Sequence, residues 1–330
     1  MTQLEQAYQT GNRLFLEQGD REAALLEYHK AAEGGHTGAM YSLGLLLDEK
    51  GESWLMRSAE LGFPDAQSEI ANRLVQQGDI AGALPWYRRA AEGGHDWAQY
   101  YLACLLAAGE GYVPDVQGPR YQSTELDPKN AAEALYWFKK AADQGHLDAQ
   151  LNLGLITKDP NWLEQAAKRG HPLAQHQLAL MVFEQDRPSA THWFLQAAEQ
   201  GNTESQHLLA NLMADEANWE QAVRWFGQAA QADHLESQAQ LGYILAQQGQ
   251  DEQSAHWLQK AAQQGHPEAC RNLAVLYATG RGLEQSPEAA ARWYLVAAEK
   301  GHQGALPPWP WVHKLRAKRL GISRTSVRRI

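Results

Sequence analysis

One hexapeptide pattern, Ala-Ala-x-x-Gly-His, recurs nine times with small variation, at residues 31–36, 58–63, 90–95, 141–146, 166–171, 197–202, 229–234, 261–266 and 297–302. Self-similarity at a period of a few tens of residues is the mark of an array, and it constrains the fold more than any other feature of a chain. The residue before the His position falls at 35, 62, 94, 145, 170, 201, 233, 265 and 301, so the spacings are 27, 32, 51, 25, 31, 32, 32 and 36. Most of these suit two short helices and two turns. The values 27 and 25 predict shortened helices. The value 51 predicts one long insertion, placed at 109–130 by Gly109, Gly111, Pro114, Gly118, Pro119 and Pro128, and long loops in compact arrays commonly carry function.

Each copy carries two helical patterns. The first follows the His position and reads Ala-Gln-x-x-Leu-Gly/Ala, as at 98–103, 149–154, 174–179 and, with Ser first, 237–242. Ala and Leu four apart share a face, and the small last residue lets a neighbouring helix approach. The second reads Ala-x-x-Trp-x-x-x-Ala-Ala, as at 134–142 and 222–230. Trp54, Trp86, Trp137, Trp162, Trp193, Trp225, Trp257 and Trp293 occupy its aromatic slot, with Tyr28 assigned to it in the first copy, which gives eight of the 12 Trp one role. The expectation is an aromatic wedge buried between repeats rather than a cofactor site. Gly at the end of the second helix fits a left-handed C-cap. The His, Asn202 or Phe63 that follows fits the next N-cap, with Pro64, Pro172 and Pro267 at the first helical position and Asp or Glu in the first turn.

These residues resemble the Sel1-like repeat family, a branch of the tetratricopeptide-type arrays. The best match is 266–301, where His266-Pro267-Glu268-Ala269-Cys270-Arg271-Asn272-Leu273 runs through Gly280-Arg281-Gly282 to Ala291-Arg292-Trp293-Tyr294 and Ala297-Ala298-Glu299-Lys300-Gly301. The Gly-x-Gly turn is a family hallmark that most other copies here lack, and the first copy looks more like a plain tetratricopeptide unit. The resemblance implies an all-α, right-handed α-solenoid of about nine helix-turn-helix repeats over residues 1–302, followed by a separate tail, 303–330. It also implies a concave groove lined by the first helices. Carried over residue by residue, the groove positions are Tyr41, Ser42, Glu69, Asn72, Tyr100, Tyr101, Asn152, His176, Gln177, His207, Asn211, Gln240, Tyr243, Arg271 and Asn272. Amides and aromatics dominate them, which suits another protein or an extended peptide. Some relatives are secreted with a disulfide in each repeat; this chain has two cysteines, Cys104 and Cys270, in different repeats. Free buried thiols and a cytoplasmic setting are the expectation.

Charge divides the chain. The net formal charge is −10, yet residues 303–330 carry seven basic residues and no acid, leaving 22 basic against 39 acidic groups, or −17, over residues 1–302. An acidic body does not suit nucleic acid. Two readings of the tail stand open. Around Ala317, Gly321 and Val327 it resembles a DNA-binding helix-turn-helix, with Arg324, Arg328 and Arg329 placed for phosphates. Alternatively it is a basic peptide that caps the array or folds onto its acidic surface. Leu306-Pro307-Pro308-Trp309-Pro310-Trp311 separates it from the last repeat. No apolar run is long enough to span a membrane, and no secretory leader is recognisable at the N-terminus. No metal or catalytic motif is present, and the repeat-turn histidines read as structural, so no cofactor, metal or enzymatic activity is expected. The function expected is a non-catalytic scaffold or adaptor of bacterial type, in one version an immunity or regulatory protein. The alternative is a DNA-associated regulator acting through the tail.

Overall fold

A computed structural model of the 330-residue chain describes residues 2–109 and 125–302. The tail, with Arg324, Arg328 and Arg329, and most of the 109–130 insertion lie outside the described residues. Among those described there are eighteen α-helices, one short 3-10 turn and no strand. The fold class is an all-α solenoid of about nine repeats.

The helices pair in chain order and fall into two compact units, divided between His171 and Pro172. The first unit holds α1 (Gln3–Leu16), α2 (Arg21–Glu33), α3 (Thr37–Leu46), α4 (Glu52–Glu60), α5 (Pro64–Gln76), α6 (Ile80–Glu92), α7 (Asp96–Ala108), α8 (Ala131–Asp143), α9 (Leu147–Thr157) and α10 (Pro160–Lys168). The second holds α11 (Pro172–Val182), α12 (Arg187–Glu199), α13 (Thr203–Asp215), α14 (Trp219–Gln231), α15 (Leu235–Gln247), α16 (Asp251–Gln263), α17 (Pro267–Thr279) and α18 (Pro287–Glu299). The short spacings are the nine-residue helices α4 and α10. The long one is the insertion between Ala108 and Ala131.

The turn chemistry follows from the pattern. The Gly before each His position has φ between 87° and 96° at residues 35, 62, 94, 145, 170, 201, 265 and 301. In the remaining copy Asp233 adopts φ 60°, a conformation a short polar side chain tolerates better than most. The His then caps the next helix: Nδ1 of His36, His95, His146, His234 and His266 accepts the amide hydrogen three residues on. Asn202 does the same for Ser205.

The core shifts the expected aromatic wedge by one residue. The side chains sealed between the two helices of a pair are Tyr28, Leu55, Tyr87, Phe138, Leu163, Phe194, Phe226, Leu258 and Tyr294, each 9% exposed or less. All but Tyr28 follow the Trp. Tyr28 lies four residues after Ala24 and three before Ala31, so it belongs to this inner slot and not to the Trp slot. Six of the eight Trp are only partly buried, Trp137 and Trp225 being the buried two. A cation lies over several of the rings: Arg57 on Trp54, Arg89 on Trp86, Arg224 on Trp225 and Lys260 on Trp257, at 4.8–6.0 Å from the centroid. The rings therefore form an amphipathic layer over the sealed core, covered by snorkelling cations. The small residue after Leu gives the close approach expected of it. A Cβ on Gly242 would sit 2.7 Å from Leu258 Cγ.

The conserved-looking Gln of Ala-Gln is a helix-end cap. Nε2 of Gln67, Gln99, Gln150, Gln206 and Gln238 donates to the carbonyl eight residues earlier, at the C-terminal end of the preceding helix. Each of those carbonyls also accepts the backbone amide three residues on, so the Gln supplies its second bond, which is buried. A second amide, at the end of the same pair's second helix, then meets this Gln: Gln144 to Gln99, Gln200 to Gln175 and Gln264 to Gln238, at 2.7–2.9 Å. Cys270 stands in the same slot, its thiol 3.6 Å from the Ala262 carbonyl. Cys104 and Cys270 are both free and buried.

Candidate functional site

The side chains that repeat along the first helices sort by position around the Leu of Ala-Gln-x-x-Leu. Two residues before it, the side chain turns toward the next repeat. Nδ1 of His176 lies 2.8 Å from Ser205 Oγ, and Nδ1 of His207 lies 2.9 Å from Ser237 Oγ. Tyr100 stacks on His146 at 4.5 Å and 22°. Tyr100 and His176 are buried, as is Asn152, whose Nδ2 lacks a hydrogen-bond partner. These three residues, expected in the groove, belong to the packing between repeats. Burial holds the imidazoles of His146, His176 and His207 below the usual histidine range. It also raises the Tyr100 hydroxyl far above its ordinary value. Arg271 is exposed at the same position, since α17 is the last first helix among the described residues.

Eight of the expected positions, four in each unit, line open concavities. In the first unit, Tyr41 of α3, Glu69 and Asn72 of α5 and Tyr101 of α7 surround a pocket of about 240 Å3 with Asp65, Ser68, His95 and Trp97. In the second, Gln240 and Tyr243 of α15 and Arg271 and Asn272 of α17 line one of about 550 Å3 with Ala239, Glu268 and His302. Tyr243 is 47% exposed and Trp97 likewise 47%, unusual for such large side chains. Ser42, Gln177, His207 and Asn211 are partly buried and line neither pocket. Asn211 donates to His207 Nε2 at 3.0 Å.

Sequence reasoning missed Asp65, His95, Trp97, Glu268 and His302 as lining residues. They sit at the His position or two residues after it, where helix capping and the helix dipole already accounted for them. A second pairing was also hidden there. Nε2 of His95, His171, His234 and His266 approaches the carboxylate two residues after the preceding His position: Asp65, Asp148, Glu204 and Glu236, at 3.0–3.9 Å. His36 meets Glu5 of α1 in the same way at 3.0 Å. His36 and His266 thus accept at Nδ1 and donate at Nε2 at 3.0 Å, which fixes their tautomer. No group of three or more His, Cys, Asp or Glu side chains that could hold a metal occurs among the described residues. No helix among them is long and apolar enough to cross a membrane.

An array of helix pairs, each sealed onto the next by small residues, buried amides and a capping histidine, defines the class: an all-α helix-pair repeat protein. The Sel1 repeat matches the chain nine times, at residues 6–36, 66–95, 98–117, 124–146, 161–171, 172–202, 204–234, 235–266 and 267–302. The chain belongs to the Sel1-repeat family. Among solved structures it is similar to a protective antigen of uropathogenic Escherichia coli strains displaying an SLR fold. That match has 25% identity and a TM-score of 0.75, over 97% of this chain and 73% of the other. It is also similar to a Sel1 repeat protein of Oxalobacter formigenes, at 27% identity and a TM-score of 0.61, over 88% and 90% of the two chains. No curated protein matches the chain in sequence.

Proposed function

We propose that the chain is a non-catalytic scaffold or adaptor that holds a partner protein or an extended peptide along the face formed by its first helices. One observation carries the reading. In each unit an open pocket lies between successive first helices and is lined by aromatics and amides, Tyr41, Asn72, Trp97 and Tyr101 in one and Gln240, Tyr243 and Asn272 in the other. Such groups grip side chains and bond a peptide backbone without demanding one particular charge. The acidic body argues against nucleic acid as the ligand of this face. In the form favoured here the protein works in a bacterial cytoplasm and restrains a single cognate partner, as an immunity or regulatory protein would.

The test is native affinity purification with the full chain, followed by cross-linking to locate the contact. The variants are Tyr243→Asp with Asn272→Asp in one pocket and Tyr41→Asp with Tyr101→Asp in the other. Loss of the cross-linked partner from at least one double variant, with helical content unchanged, is the expected result. A partner retained at wild-type level by both double variants would remove the groove from the account.

A further inference from the structure

Along the chain, the histidine and the carboxylate of the inter-repeat pair come and go together. Where the acid position holds Asp65, Asp148, Glu204, Glu236 or Glu268, the next repeat turn holds His95, His171, His234, His266 or His302. Where the acid position holds Gly38 or Leu173, the next turn holds Phe63 or Asn202 instead. One junction breaks the rule. The acid position of α7 is Trp97, yet the next turn keeps His146.

The structure shows what the exception costs. His146 is 6% exposed, stacked on Tyr100 and edge-on to Trp97 at 4.3 Å, and its Nε2 is buried with no hydrogen-bond partner. Burying an imidazole nitrogen unsatisfied is unfavourable, and a departure from a protein's own local rule points to a function gained in exchange. What is gained is an indole 47% exposed on the wall of the pocket between α3, α5 and α7. Trp97 and Tyr101 lie 5.8 Å apart and tilted by 51°, with Tyr41 on the far side. Asp65 and Glu69 of α5 lie between them. Asp65 is about half exposed and only 3.9 Å from His95 Nε2, while Glu69 holds Arg73 at 2.8 Å through one oxygen. The carboxylates of Asp65 and Glu69 outnumber the guanidinium of Arg73 by one formal charge.

We propose that this pocket is a cation subsite, which takes the guanidinium or ammonium group of an arginine or lysine side chain on the bound partner. The inference rests on the groove reading and specifies what one part of the groove selects. A cavity of about 240 Å3 accepts one long side chain rather than a folded element. Indole and phenol faces attract a cation through their quadrupoles, and the carboxylates supply charge-assisted acceptors. Restoring an acid at position 97 would give back the acceptor that His146 lacks and remove the aromatic wall in the same step.

The test uses a displayed library of random decapeptides selected on the immobilised full chain. Enriched sequences are then synthesised with each arginine or its neutral isostere citrulline and measured by fluorescence polarisation. The expected result is enrichment of peptides with a basic residue at a fixed place and about tenfold weaker binding of the citrulline form, the range a desolvated cation–π contact supports. Trp97→Asp should keep or raise the thermal midpoint, whereas Trp97→Leu, which removes the aromatic wall without adding a charge, should reduce the preference for arginine over citrulline several-fold, as should Glu69→Gln. Enriched peptides lacking a basic residue, or equal binding of arginine and citrulline forms, would overturn the subsite and leave the groove standing. Failure of any peptide to enrich on wild type would overturn the groove reading and this inference with it.

Discussion

Replacing Gln238 by leucine tests whether the buried amides hold the repeats together. Gln238 is fully buried; its Nε2 donates to the Ala230 carbonyl at 3.2 Å and its Oε1 accepts from Gln264 Nε2 at 2.9 Å. Leucine has a similar volume, so the packing change is small. Ala230 lies in the last turn of α14, and its carbonyl then keeps only the backbone amide of Asp233 at 3.2 Å, so the lost buried bond costs about 0.5–1.5 kcal/mol. Gln264 is exposed and can turn to water, so its loss adds only about 0.5 kcal/mol. A net loss of about 1.5 kcal/mol, with a urea slope of about 2 kcal/mol/M, lowers the midpoint by about 0.7 M. Circular dichroism at 222 nm through a urea series reads the shift, and hydrogen exchange of α14 and α15 localises it. Gln247→Leu, at an exposed position of the same helix, is the control and should leave the midpoint within about 0.2 M of wild type. A Gln238→Leu midpoint within about 0.2 M of wild type, or equal losses for both variants, would show that the amide ladder is incidental.

Three further outcomes follow from the packing and from burial. Phe194→Ala, at a side chain 1% exposed, should cost about 3–5 kcal/mol, and Trp193→Ala, at a partly exposed ring, clearly less; urea midpoints of the two rank the slots. Gly242→Ala would force a methyl to 2.7 Å from Leu258 Cγ and should cost about 1–3 kcal/mol, read as a lower thermal midpoint with unchanged helical content. The buried imidazoles of His146, His176 and His207 are held below the usual histidine range, so the unfolded chain takes up protons first. Stability should therefore fall as the pH drops through about 6.5 and keep falling until the folded imidazoles also protonate. Urea midpoints at pH 7.5 and 5.0 measure the loss, His176→Gln should lessen it, and equal midpoints at the two pH values would contradict the burial argument.

The repeat, the helix pairs, the capping histidines and the two shortened helices were legible because each is written in local spacing. Ala-Ala-x-x-Gly-His sets a C-cap and an N-cap within six residues, and no distant contact is needed to read it. What lay across repeats was harder. Gln238 looked like part of a helical pattern, while its partners lie at the ends of the helices before and after its own. The Trp slot was placed one residue early because Trp225 and Phe226 both keep helical spacing to the flanking alanines, and only packing reveals which is sealed. Tyr100, Asn152 and His176 were assigned to the groove by position along the helix. The twist of each pair turns the first and last of them toward the following repeat, and Asn152 is buried as well. Trp97 and Asp65 were overlooked because a helix's first turn already had a sufficient explanation for what stands there.

The amide bonds that tie each pair to the next also make the chain tolerant of splicing. Two of the seams are written with the same residues, so a cut between Ser205 and Gln206 matches one between Ser237 and Gln238. Excising residues 206–237, one period of 32, would join Ser205 to Gln238 and offer that glutamine the Ala198 carbonyl, the acceptor that Gln206 now uses. Interactions confined to nearest neighbours leave no raw edge at such a junction. The length of this molecule is therefore a variable that duplication or loss of a single period can change while every remaining seam stays closed.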